Sequence, residues 1–261
     1  MKLKIMPDSG FTLVELSIVM IIIGLLIGGI LKGQELVSNA KIATLVSQAK
    51  QVTAAYNTFY DSYNAVPGDI AYATTMIANC NAASFCSNGS GNNLLGETAA
   101  DWERQGWEDI ASAIDSENTQ FWKHLALADL IGGLNPGAGV IEWGKTHPYT
   151  SLEAGFHARN SRAPSSVHGS LSGLILVLRN DITGNWKCDN PGRDNCAISG
   201  DYAYRIDAKM DDGYAFSGII QSISSNWGNG CGLANHELNG PDGYAHNVST
   251  RSCDMMFKVA N

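Results

Sequence analysis

From Leu16 to Leu31 the chain runs sixteen residues without a charge, dominated by Ile, Leu, Val and Met. That is shorter than the roughly 20 apolar residues of a transmembrane helix. Adding Phe11 to Val14 lengthens the run at the cost of enclosing Glu15. Past Gly33 the pattern changes. Between Gln34 and Tyr63 there is neither proline nor glycine, and apolar residues recur at Leu36, Ala40, Ala43, Val46, Ala49, Val52, Tyr56, Phe59 and Tyr63. Steps of three or four make a single helical stripe, which Pro67-Gly68 stops. The pattern predicts one helix from about residue 12 to about residue 64, on the order of 75 Å long at ~1.5 Å per residue. No small domain buries such a rod completely. Its first half is expected in a membrane or among copies of itself, and its second half on a globular part.

Beyond Pro67 the periods are short and broken by turn residues. Asp69 is a fair N-cap for a short helix through about Ala78. The Asn/Ser/Gly-rich stretch from Cys80 to Cys86 reads as a surface loop. A helix is expected from about Glu117 to Ile131, with Ser116 as cap and Gly132-Gly133 as stop. Its stripe of Phe121, Trp122, Leu125 and Ile131 makes Trp122 a core residue. Leu171 to Leu178 is an apolar run bounded by Gly and Asn, a buried strand. Asp201 to Asp212 reads as a helix capped by Asp201 and ended by Gly213, and Tyr214 to Ser222 as a strand. No internal repeat is visible.

Composition sharpens the division. The 261 residues carry a formal charge of -8. Residues 1–10 hold +1, residues 11–66 are neutral, and residues 67–261 hold -9, with 12 basic against 21 acidic groups. All six cysteines and 23 of the 28 glycines lie in that last part. A hydrophobic fraction of 44% supports a real core. An acidic head argues against a nucleic-acid-binding surface, and no nucleic acid is expected as a partner. Lys2 and Lys4 before an apolar run are compatible with a secretory signal, but nothing like A-x-A follows the run, and the helix continues beyond it.

The junction reads Gly10-Phe11-Thr12-Leu13-Val14-Glu15-Leu16 behind that short basic leader. A carboxylate at the start of a membrane helix is costly and is a functional candidate by default. This stretch, with the leader and the long helix to about residue 65, closely resembles the cleavage and methylation signature of type IV prepilins and type II secretion pseudopilins. The resemblance implies cleavage by prepilin peptidase between Gly10 and Phe11, N-methylation of Phe11, and pairing of the Glu15 carboxylate with the N-terminal ammonium of a neighbouring subunit. It implies residues 1–10 as leader, 11–66 as spine helix (11–33 in the membrane or filament core, 34–66 amphipathic), and 67–261 as a globular head. The chain departs from major pilins at Lys32, where a helix-kinking proline is frequent. It is also large at 251 residues after the leader. Both departures point toward a minor or specialised subunit.

The segments Ile206 to Gly213 with Gly218-Ile219-Ile220, and Phe121 to Leu125 with Ala128 to Ile131, also resemble pilin-like heads. The implied fold is α+β: a long spine helix packed on an antiparallel sheet, with added helices and disulfide-closed loops. Six cysteines allow fifteen connectivities. The sequence-local choice is Cys80/Cys86, Cys188/Cys196 and Cys231/Cys253, and an exported head is where disulfides persist. Zinc would need mixed ligands such as Cys231 with His236 or His246 with Cys253, yet no C-x-x-C or H-x3-H spacing appears. No cofactor is expected. Calcium is the minority alternative, since some pseudopilins carry it. Its candidates are Asp207, Asp211, Asp212 and Asp242, with Asn235, Glu237 and Asn239 in a Gly-rich loop.

An exported hydrolase would need a nucleophile with a partner. There is no G-x-S-x-G, H-E-x-x-H or Walker loop. His124, His147, His157, His168, His236 and His246 are scattered, and they read as surface or satisfied residues. The expectation is a non-enzymatic subunit of a type IV pilus or a secretion pseudopilus. Its partners would be its own copies or related pilins, prepilin peptidase and an inner-membrane assembly platform. Its place would be the bacterial inner membrane, single-pass with a periplasmic head, and then the filament or cell surface. The alternative is a minor pilin whose head binds a surface or substrate at a filament tip. Trp102, Trp107, Trp143 and Trp227 would then line a face or pack a core.

Overall fold

The computed structural model describes residues 12–96, 113–161, 171–182, 196–223, 231, 243, 244, 246 and 251–260. The chain divides into two compact units, Met1–Lys41 and Ile42–Asn261. The first helix, α1 (Leu13–Tyr63), is 51 residues long and contributes to both.

In the first unit the apolar side chains of α1 face outward. Leu13, Leu25 and Leu31 are 87%, 73% and 62% exposed. The segment is long and apolar enough to cross a bilayer. In the second unit α1 buries Ile42, Leu45, Val46, Ala49, Val52, Ala55, Tyr56 and Phe59. The expected stripe is therefore right from Val46 onward and wrong before it. Leu36 and Ala43 are exposed, and Ile42 and Leu45 take the buried face. All these positions are apolar, so the pattern alone could not choose among them.

Two short helical turns follow, α2 (Ala73–Met76) and a 3-10 turn (Ala82–Ser84). The expected helix from Asp69 to Ala78 is thus a single turn, and Asp69 does not cap it. Its carboxylate is buried and accepts from the Ser90 hydroxyl and from the backbone N–H groups of Gly91, Asn92 and Asn93. Asn81 caps the 3-10 turn with a reciprocal Ser84 bond.

Helix α3 (Glu117–Leu127) is capped by Ser116, as expected. It ends earlier than expected because Asp129 adopts a left-handed conformation, φ 55°. Glu117 to Leu125 are all buried, so α3 is enclosed on every side rather than amphipathic. Glu117, Gln120 and Lys123 bond the loops that wrap it. Glu117 accepts from the Ser90 and Gly96 N–H groups. Gln120 bonds Ser87 N–H and the Phe85 and Ile114 carbonyls. The Lys123 ammonium donates to the Ser84, Pro136 and Ala138 carbonyls.

Among the described residues the sheet has four antiparallel strands in the order β1-β2-β4-β3: β1 (Gly155–Ser161), β2 (Gly173–Arg179), β3 (Ile220–Ile223) and β4 (Asp254–Ala260). Helix α4 (Gly200–Met210) precedes β3. Its N-cap position is Ser199, without a side-chain bond, rather than Asp201. Phe156, Leu176, Leu178, Met255 and Phe257 from the sheet share one buried cluster with Phe59 of α1 and with Phe121, Trp122 and Leu125 of α3. This is an α+β fold of pilin-like type: a long N-terminal helix, an antiparallel sheet, added helices and disulfide-closed loops.

The expected strand from Tyr214 shrinks to β3 because Asp211 claims the chain before it. One Asp211 carboxylate oxygen accepts from the N–H groups of both Ile219 and Ile220. Gly218, at φ 73°, fits only as glycine, because a Cβ there would run into that carboxylate.

Candidate processing and assembly segment

The N-terminal segment is built from helix-start chemistry. Thr12 immediately precedes α1, and Glu15 is the third residue inside it. The Thr12 backbone N–H donates to Glu15 Oε2 at 2.9 Å, and the Thr12 hydroxyl donates to the same oxygen at 2.8 Å. In return the Glu15 N–H donates to Thr12 Oγ1 at 3.2 Å. This reciprocal pair is a capping box. The sequence signal was present as T-x-x-E before an apolar run, and the sequence reading missed Thr12.

The box has a chemical meaning. A carboxylate entering hydrocarbon needs donors, and Thr12 supplies two of them from within the chain. Ser17 likewise satisfies its hydroxyl within the helix, on the Val14 carbonyl. Gly24, Gly28, Gly29 and Gly33 have nothing within 4 Å of a notional Cβ. At the far end of the apolar run Lys32 pairs with Glu35 at 2.6 Å, both side chains exposed. Gly10 and Phe11, the expected cleavage pair, lie outside the described residues.

In the head, two of the sequence-local cysteine pairs are bonded, Cys80–Cys86 and Cys231–Cys253. Cys196 is also disulfide-bonded, and Cys188 lies outside the described residues. The Cys231–Cys253 bond removes both thiolates that a zinc site with His236 or His246 would have used. Cys80, Cys86 and His124 lie within 4.8 Å of one another. Their sulfurs are joined, and His124 accepts the Gly68 N–H on Nδ1 and donates from Nε2 to the Ser87 carbonyl.

Of the calcium candidates, Asp207, Asp211 and Asp212 bring oxygens within 4.8 Å of one another. Each already accepts protein donors. Asp207 takes the Gly213 N–H and the Tyr244 hydroxyl, Asp211 the two N–H groups before and in β3, and Asp212 the Tyr214 N–H and Ser217 hydroxyl. Burial pushes the Asp207 carboxyl up to about 6 despite those bonds. The cluster therefore shapes the turn from Asp211 to Ile220. Asp242, Asn235, Glu237 and Asn239 lie outside the described residues.

Two histidines, His147 and His157, depart from expectation, while His124 is buried and satisfied. His124, His147 and His157 are each fully buried. His124 is satisfied on both nitrogens, but His147 Nε2 and His157 Nδ1 have no partner. His168, Ser170, Trp102, Trp107 and Trp227 lie outside the described residues. Trp143 is half-buried, with its indole N–H on the Asn180 carbonyl.

A family model described as the prokaryotic N-terminal methylation motif matches residues 5–31. The chain thus carries the type IV pilin and pseudopilin-type N-terminal signature, and that signature ends in an apolar helix suited to a single-pass membrane anchor. No curated protein and no solved structure matches the chain.

Proposed function

We propose that this chain is the precursor of a structural filament subunit. Prepilin peptidase cuts it between Gly10 and Phe11 and methylates Phe11. The mature chain then joins a type IV pilus or a secretion pseudopilus by packing its spine helix among those of its neighbours, on an inner-membrane assembly platform. The head faces the periplasm, and the subunit performs no chemistry of its own. The observation that carries this reading is the methylation motif over residues 5–31, running into an apolar helix whose side chains are exposed. Exposed apolar length of this kind has a use only in lipid or against other helices.

The Thr12–Glu15 box supports a division of labour on this reading. Before cleavage the carboxylate is held by its own chain. After cleavage a new ammonium at Phe11 offers a neighbour's Glu15 a charged partner. The exchange replaces neutral donors with an ion pair, which is the stronger interaction where water is excluded. Disulfide-closed loops in the head fit an oxidising compartment.

The test is co-expression with a prepilin peptidase and intact-mass analysis of the purified chain. The expected species begins at N-methylated Phe11 and is recovered in sheared filaments. An uncut chain, or a cut chain with a free unmethylated Phe11, overturns the processing reading. A correctly processed chain that stays in the membrane under assembling conditions overturns the filament reading alone.

A further inference from the structure

We propose that His147 and His157 form an acid-sensitive latch, in which protonation of the two imidazoles releases the strap of residues 142–149 from the first strand of the sheet. The inference is independent of the filament reading.

The strap is a compact turn built on one carbonyl. Glu142 O accepts from Lys145 N–H at 3.2 Å and Thr146 N–H at 3.0 Å. It seats on β1 through a Tyr149–Gly155 bridge and through Phe156 N–H to Pro148 O at 3.1 Å. The Trp143 ring occupies the space where a Cβ of residue 155 would stand, so only glycine lets the strap close there. His147 thus rides on the strap and His157 on the strand beneath it. Their ring centroids are 5.2 Å apart, with Trp143 5.9 Å from the first and 5.0 Å from the second.

Each ring uses one nitrogen. The Thr146 hydroxyl lies 3.1 Å from the Glu142 carbonyl and 3.0 Å from His147 Nδ1, so Nδ1 is engaged whichever of the two atoms carries the hydrogen. His157 Nε2 faces the Asp181 carbonyl at 3.3 Å, which can only accept, so Nε2 carries the hydrogen there. Both remaining nitrogens, His147 Nε2 and His157 Nδ1, are buried without a hydrogen-bond partner, and the adjacent Trp122 indole N–H lacks one too. Such buried, unsatisfied atoms call for an explanation. Here the explanation is a pair of basic sites kept neutral by enclosure.

The charges facing the pair reinforce this. Lys123 acts from α3 on His147, while Arg159 of β1 and Arg179 of β2 act on His157, and all three oppose a further positive charge. Each imidazole also opposes its neighbour's protonation. The carboxylates of Asp181 and Asp254 act on Arg179, which lies 3.7 Å from Asp254. Glu142, on the strap, is exposed and paired with Lys145 at 2.7 Å. Burial, first of all, holds His147 down to about 3 and His157 well below the ordinary imidazole value. The sign follows. An imidazole whose closed-state value is depressed contributes fully above about pH 6.5, and its contribution fades as pH falls below that. Opening the strap lets both rings reach water and bind protons, so acid drives opening.

The test uses the full chain in detergent and follows amide hydrogen exchange by mass spectrometry, corrected for intrinsic rates, between about pH 7 and pH 4.5. In the wild type, protection of residues 142–149 should fall relative to β2 as pH drops. The steepest expected change is about a hundredfold in opening constant per pH unit, tenfold for each imidazole. The variant H147N/H157Q retains an N–H donor near each bonded position and removes both titrating sites. Its strap protection should be flat relative to β2 over the same range, and each single variant should show about half the logarithmic slope. A wild-type strap that keeps pace with β2 at every pH overturns the proposal whether or not the variants fold. So does a double variant that retains the wild-type slope.

Discussion

Asp69→Ala tests how the head is held together at a point where four donors meet one side chain. Asp69 is 2% exposed. Its Oδ1 accepts from the Ser90 hydroxyl at 2.9 Å, Gly91 N–H at 2.7 Å and Asn92 N–H at 3.1 Å, and its Oδ2 accepts from Asn93 N–H at 2.6 Å. Successive backbone N–H groups converging on one anion form a nest, with the anion supplied by the chain itself. Residues 90–93 are exposed on their outer side, so water recovers part of what the mutation removes. Counting only the two shortest bonds, at about 1.5 kcal/mol for a hydrogen bond to a charged group, gives a loss of about 3 kcal/mol. For a unit of this size that corresponds to a melting point lower by roughly 6–12 °C. Asp69→Asn keeps one acceptor oxygen and turns an amide N–H toward a backbone donor, so it should fall between wild type and alanine. Thermal melts by near-ultraviolet circular dichroism on the full chain in detergent, disulfides intact, read the effect. An alanine variant that melts with the wild type would refute the claim that this carboxylate organises the loop.

Four other outcomes are expected. Gly10→Val should leave an uncleaved precursor when prepilin peptidase is present, and a mature band on a gel contradicts it. Glu15→Ala should be cleaved normally yet give few or no sheared filaments, and wild-type filament yield would remove Glu15 from assembly. Gly218→Ala should destabilise the head by about 1–3 kcal/mol, because a Cβ at φ 73° meets the Asp211 carboxylate. The control Gly213→Ala meets its nearest neighbour only at 3.3 Å and should be milder at that contact, so equal melting of Gly218→Ala and wild type would contradict the account. Non-reducing peptide mapping should recover Cys80 linked to Cys86 and Cys231 linked to Cys253, and either pair found as free thiols counts against the head as drawn.

Much of the scaffold was legible because it rests on local rules. The long helix follows from an unbroken period and the absence of Pro and Gly between residues 34 and 63, the Ser116 cap follows from its place before an apolar stripe, and two of the bonded cysteine pairs are the sequence-local choice among fifteen connectivities. What escaped depends on enclosure from afar. Gln120, Lys123 and His124 look like the wet face of an amphipathic helix, and only the wrapping loops reveal that they are buried and bonded to carbonyls and N–H groups. Strand β1 carries His157, Arg159 and Asn160 and so lacks an apolar signature, while β4 has one that the sequence reading passed over. Asp69 and Asp201 were read as caps, and tertiary partners claimed the first for a loop while the second lies inside its helix. Thr12 carries no charge and so gives a weaker sequence signal than Glu15, although its hydroxyl makes half of the capping box.

The strand order carries one more consequence, for the timing of folding. Strand β4 is the last of the four along the chain, yet it lies between β2 and β3. Until residues 254–260 arrive, β2 has only one neighbour and β3 has none. A chain made from its N-terminus therefore has its spine helix complete long before its sheet can close. The head must wait in an open state, with loop closure over long separations setting its rate. A chain cut short before β4 would leave β2 and β3 without the strand that joins them, so the fold itself acts as a check that the whole sheet has been made.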